Sequence, residues 1–263
     1  MVATRKYYTQ QEIKKRVDIL FMFNEVALEA LAVKFNEFKE IKGEIPADQL
    51  AIMSSYQRIL EITEGIGTML NRNLGSLSEA IVRDLLEAYA HFCYMTEKKV
   101  ELNERALAYY YLDQESDLEE KNSALATLKL MNLKKGEELE AKELLNQEIK
   151  RLKKELNKPE FSNIRDILKK IRTRKNKDSR EKFSPYFFQL EKDTPKSIKK
   201  FVINYLPNHI DSKAYLYGDL SRQVHGANAL RTSYIEDNNF SFGSFNYVKK
   251  DNKAYEESVK YLV

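Results

Sequence analysis

Near the C-terminal end of the chain, Tyr217, Ser221 and His225 recur at four-residue intervals and run directly into Gly226. Residues four apart on a helix lie one turn above each other, so a phenol, a hydroxyl and an imidazole share one stripe. The chain has only three histidines, and an imidazole is the side chain that titrates nearest physiological pH. It can therefore take up and return a proton in a reaction. A second polar row stands far upstream, where Arg83, Glu87 and His91 follow the same spacing. A guanidinium grips phosphate oxygens in bidentate fashion, and a carboxylate one turn away can orient it. Arg222, three residues before His225, is a second guanidinium candidate. Each row also has a purely structural reading. Tyr-Ser-His rows between helices often form satisfied buried networks, and an Arg-x3-Glu pair is often an intrahelical ion pair. His91 reads as a packing residue or a support to the site, and His209, after Pro207, as a loop residue.

The elements that must hold these rows are helices. Ser76 with Glu79 has the form of a capping box, followed by the apolar stripe Val82, Leu85, Leu86, Tyr89 and Phe92 beside the charged row. Cys93 lies on that apolar side and reads as a small core residue, not a nucleophile. Thr9 and Glu12 predict the start of a long amphipathic helix through Ile13, Val17, Leu20 and Phe38 to Gly43. A second helix follows Pro46 to about Asn73, and a fourth runs from about Leu102 to Leu133. The stretch from Lys134 to Asn157 reads as a charged helix that pairs with the fourth as a hairpin arm. Pro195 opens a helix through Phe201 and Tyr205, and Asp211 or Ser212 caps the one bearing Tyr217, Ser221 and His225. Gly226 suits the end of that helix. Alternating aromatic and small residues from Phe240 to Tyr247 predict a short hairpin or extended segment, and a further helix is expected from about Asn252.

Composition points the same way. With 8 glycines and 5 prolines in 263 residues, the chain has few of the turn signals an all-β fold requires. An all-α multi-helix bundle is expected. Residues 1–133 are read as its N-terminal helices, 134–193 as a charged helical arm and basic segment inserted into it, and 194–263 as the helices that complete it. The last expected helix runs to the end of the chain, as in a truncation of something longer. A single cysteine excludes an intramolecular disulfide framework or a cysteine-rich zinc cluster. No apolar run approaches a membrane span and no apolar leader opens the chain, so a cytoplasmic protein is expected. The P-loop, GxGxxG, HExxH and GxSxG patterns do not occur, which argues against the corresponding hydrolases and dehydrogenases.

Ile164 to Lys182 carries nine Lys or Arg against three acids. That surplus exceeds the net charge of +4 of the whole chain, so the remainder is slightly acidic. Lys169, Lys170, Arg172, Arg174, Lys175 and Lys177 are the candidate nucleic-acid contacts, with Phe183, Tyr186, Phe187 and Phe188 downstream as candidate base-stacking residues. A solvated helix face is the plainer reading. Tyr109, Tyr110 and Tyr111 cannot all face one way, so at least one is expected to be exposed or at an interface.

Three of these motifs, in order, carry a resemblance: Arg83-x3-Glu87, Arg105-Ala106-Leu107-Ala108-Tyr109, and Tyr217-x3-Ser221-x3-His225-Gly226. They resemble an uncharacterised group of bacterial all-α proteins related to the HEPN superfamily of helical-bundle ribonucleases and nucleotide-binding proteins, over roughly Ile59 to Tyr247. The resemblance implies a metal-independent endoribonuclease of toxin-antitoxin, abortive-infection or phage-defence type, or a decayed relative, working without a cofactor. Its implied partners are RNA, a second copy of the chain, and an antitoxin or other defence-system protein. In catalytic HEPN proteins an arginine and a histidine near a helix end meet their dimer copies in a composite cleft. His225 matches that histidine, whereas the positions where the arginine belongs hold Gly218, Asp219 and Leu220. Arg83 on the facing helix is the preferred substitute and Arg222 the other. Metal-free RNA cleavage needs a base, an acid and a cation for the charge developing on phosphate. His225, Arg83 or Arg222, and the oxygens of Tyr217 and Ser221 suffice chemically if they converge.

Overall fold

The computed structural model describes residues 10–72, 74–98, 102–130, 134–175, 186–191, 194–206, 233–236 and 239–242. Among these residues seven helices form: α1 (Gln10–Lys42), α2 (Ala47–Asn71), α3 (Gly75–Thr96), α4 (Leu102–Thr127), α5 (Lys135–Leu156), α6 (Ser162–Lys175) and α7 (Ile198–Tyr205). One short antiparallel hairpin joins them, with β1 (Ser233–Glu236) paired to β2 (Asn239–Phe242) in the register Ser233 to Phe242 and Glu236 to Asn239. The fold class is all-α, as expected. β2 overlaps the predicted extended segment, and β1 precedes it.

Local chemistry accounts for several helix ends. Gly43 takes a left-handed φ of 73° and returns its N–H to the carbonyl of Lys39, closing α1 where only glycine is free of strain. Ser197, two residues beyond Pro195, caps α7 by accepting from the N–H of Lys200. The start of α3 departs from expectation. Leu74, not Ser76, occupies the N-cap position, because its carbonyl already accepts from Ser78 N–H and its own N–H turns back to Met69.

The chain forms two compact units. One comprises Met1–Ile45, Ile52–Glu97 and Lys196–Val263; the other comprises Pro46–Ala51 and Lys98–Pro195. The expected division at 133/134 therefore falls inside the second unit, between α4 and α5.

In the first unit, Ile13, Val17 and Leu20 of α1 fall at helical spacing on one buried face. Asn24 extends that face by one turn and, though buried, donates to the backbone carbonyl of Leu60 at 3.0 Å. Gly67 marks a close approach of α1 and α2, since a Cβ there would lie 2.8 Å from the ring of Phe21. Val82, Leu85, Leu86 and Met95 give α3 a fully enclosed stripe, and α7 packs on this helix through Phe201 and Val202.

In the second unit, α4 and α5 pack against each other in antiparallel sense, as the expected hairpin arm requires. Tyr110 lies by Glu155, Asp117 by Arg151 and Lys121 by Glu148. Phe161, fully buried, is the hub of a core built with Tyr111, Leu156, Ile164 and Leu168.

Candidate functional site

The apolar stripe of α3 turns the neighbouring row, Arg83, Glu87 and His91, into a partly enclosed position. Arg83 Nε donates to Glu87 Oε1 at 2.8 Å, and the two side chains remain 19% and 24% exposed. Glu87 in turn acts on His91. Burial pushes that imidazole down to about 4, against the opposing pull of the Glu87 carboxylate. The ring rests on Phe201 of α7, with centroids 5.5 Å apart, and Phe201 also meets Tyr94 and Tyr205. His91 thus belongs to an aromatic packing cluster, where it is held neutral. On the next face burial also raises the Cys93 thiol, and its neighbour Tyr89 is pushed up to about 12 by burial and their hydrogen bond. A thiol shifted in that direction is a poor source of thiolate.

Tyr217, Ser221, Arg222 and His225 lie outside the described residues. The geometry of the row therefore stands on Arg83, Glu87 and His91. One helix brings these three together, in a chain of influence from guanidinium to carboxylate to imidazole.

The basic segment divides into different roles. Lys169 and Lys170 are exposed on α6. Arg172 shares a face with Leu168 and Ile164, four and eight residues before it, and those two are buried. Its guanidinium accordingly turns to α4, where Nη1 donates to Glu115 Oε1 at 2.8 Å and Nη2 binds the other oxygen. This bidentate pair raises the Arg172 pKa further, and it engages a group expected to contact phosphate. Arg174 and Lys175 fall in the last turn of α6, where only the backbone is described, and Lys177 lies outside the described residues. Arg165, from the same run, donates to the carbonyls of Leu156 and Lys158 and so closes the C-terminal end of α5. The expected stacking aromatics differ in the same way. Phe187 and Phe188 are buried in a 3-10 turn packed on α4, and Tyr186, half-exposed, stacks on Phe188 at 5.2 Å. Phe183 lies outside the described residues.

Sequence reasoning missed a further ion pair. Arg105, only 4% exposed, binds both oxygens of Glu191 at 2.6 and 3.0 Å. The available signal was an arginine flanked by the small apolar residues Ala106 and Ala108 on a core-facing helix. In the tyrosine triplet Tyr111 is buried while Tyr109 and Tyr110 are half-buried, because α4 is covered on several sides. Tyr109 meets Phe187 edge-on at 5.0 Å, while Tyr110 and Tyr111 both contact Phe161.

Among the described residues no group of His, Cys, Asp and Glu side chains is arranged to hold a metal ion, and no helix is long and apolar enough to cross a membrane. No curated protein and no solved structure matches the chain. Residues 49–242 do match one family, DUF5677, a family of unknown function, and the chain belongs to it.

Proposed function

We propose that this protein is a HEPN-like, metal-independent endoribonuclease that acts as an RNA-targeting effector in a bacterial defence or toxin system. The reading rests on the half-buried Arg83–Glu87 pair of α3, taken with the Tyr217, Ser221, His225 row of the sequence. A cation in a partly dry position interacts with phosphate more strongly than one on a solvated face, and it is oriented before the substrate arrives. In the proposed reaction His225 accepts the ribose 2′-hydroxyl proton as that oxygen attacks phosphorus. A 2′,3′-cyclic phosphate forms, the bond to the 5′-oxygen breaks, that oxygen takes a proton from water, and the imidazolium returns its proton to solvent. Arg83, or Arg222, neutralises charge on the phosphate, while Tyr217 and Ser221 hold oxygens in place. Lys169 and Lys170 are the backbone contacts that α6 offers to RNA, each adding salt-dependent affinity.

The test is incubation of the purified chain with total RNA in EDTA. Cleavage by wild type and its loss in His225→Ala, with an unchanged melting curve, is the expected outcome. A His225→Ala variant that cleaves at the wild-type rate would sink the reading.

A second reading is favoured by one specific observation: Arg83 is engaged by Glu87 and His91 is held neutral, all within one helix face. On that reading the chain is a non-catalytic interaction or nucleotide-binding module with a structural polar row. His225→Ala then lowers the melting temperature, and the parent protein has no nuclease activity to lose.

A further inference from the structure

We propose that α1 is a self-association surface on which a second copy of this chain lays its own α1 in antiparallel orientation. The face of α1 carrying Ile13, Val17 and Leu20 is buried, yet the far side of the same helix is also apolar. Ile19, Met22, Phe23, Val26 and Val33 are 50–65% exposed, and exposed Ala30 completes their line. Scattered apolar residues on a surface need no explanation, but these fall at i, i+3, i+4, i+7, i+11 and i+14. That is the spacing of a helix-pairing seam, and at the helical rise it runs for about 21 Å. An aligned, uncovered stripe of this kind marks a contact surface.

The charges at its two ends select the occupant. Lys15 lies on the stripe one turn before Ile19, and Glu37 lies on it one turn after Val33; both are exposed. An antiparallel pair centred on Val26 sets Lys15 opposite Glu37 of the partner subunit, at both ends, and sets Ile19 opposite Val33 of the partner subunit. A parallel pair would set lysine on lysine and glutamate on glutamate. Glu37 already accepts from Lys34 at 2.7 Å within the helix, but an exposed pair of this kind is weak and is readily shared. The stripe is thus complementary to itself in one orientation, the requirement for a two-fold interface. This inference does not rest on the ribonuclease reading: it is argued from the exposed residues of α1 alone.

Sedimentation equilibrium of the full chain tests it. Wild type is expected to dimerise, and Val26→Asp to weaken the dimer by at least about tenfold, since it sets two carboxylates against each other at the two-fold axis. At concentrations where both proteins are monomeric their melting temperatures should coincide, because Val26 is exposed within one copy. Lys15→Glu and Glu37→Lys should each weaken the dimer, and the two together should restore it. The proposal is overturned by a wild type that stays monomeric across the micromolar range, by a dimer indifferent to Val26→Asp, or by a double charge swap that fails to restore association. It is equally overturned if Val26→Asp unfolds the chain, since the stripe would then be covered by the chain itself.

Discussion

Two regions use arginine and carboxylate in opposite ways. In the second unit, Arg105 and Arg172 each reach across the fold to a distant glutamate, Glu191 or Glu115, and bind both of its oxygens. In the first unit, Arg83 binds Glu87 one turn along the same helix through a single described hydrogen bond. A bidentate clamp between segments fixes packing, and removing one partner leaves a poorly solvated charge behind. A pair within one helix fixes nothing beyond the side chain itself and contributes little to stability. The first arrangement is architecture. Under the proposed function, the second holds a guanidinium towards a substrate phosphate.

That contrast can be broken most sharply at Glu191. Glu191→Ala removes the carboxylate that holds a nearly inaccessible guanidinium, and we expect a loss of about 3 kcal/mol. Urea denaturation followed by far-UV circular dichroism measures it, and a change below about 0.5 kcal/mol would place this clamp with the surface pairs.

The next effect lies in the first unit and depends on pH. His91 is held neutral with its pKa near 4, against 6.5 for the solvated imidazole. The unfolded chain therefore binds a proton between those values that the native state refuses. Stability is unaffected above about pH 6.5 and falls as pH drops towards 4. The loss should reach about 2 kcal/mol, less than the full shift would give because the ring is not wholly enclosed. His91→Leu should flatten that part of the pH profile, and an unchanged slope would remove His91 from the explanation.

Arg172→Met sharpens the comparison within α6. It should cost about 1.5 kcal/mol through the loss of Glu115, yet leave the salt dependence of RNA binding as it was. Charge reversal at Lys169 and Lys170 should do the opposite, keeping stability and reducing the steepness of that dependence. Filter binding across a salt series separates the two.

How much of this was legible in the sequence follows from distance along the chain. Helix starts and stops are local, so α1 could be read to its end at Gly43 and α7 from the segment after Pro195. The Arg83–Glu87 pair, four residues apart, was legible for the same reason. The clamps were not, because their partners lie 57 and 86 residues apart and no local pattern joins Arg172 to Glu115 or Arg105 to Glu191. The α4–α5 pairing was legible because the two helices are consecutive and joined by a short link, so each covers apolar positions of the other. The basic run was read as one surface, although Ile164, Leu168 and Arg172 share a helical face and so point Arg172 inward. Of the proposed site, the half carried by α3 has its geometry described, and the His225 half stands on sequence.

The central claim is that the α3 arginine serves the reaction while those of the second unit serve the fold. Cleavage of total RNA in EDTA by wild type, Arg83→Met and Arg172→Met, each paired with a melting curve, tests it most directly. The account predicts that Arg83→Met stops cleavage while lowering Tm by no more than about 3 °C, and that Arg172→Met lowers Tm further yet still cleaves. An Arg83→Met protein that cleaves as wild type does, or a wild type that does not cleave at all, would contradict it.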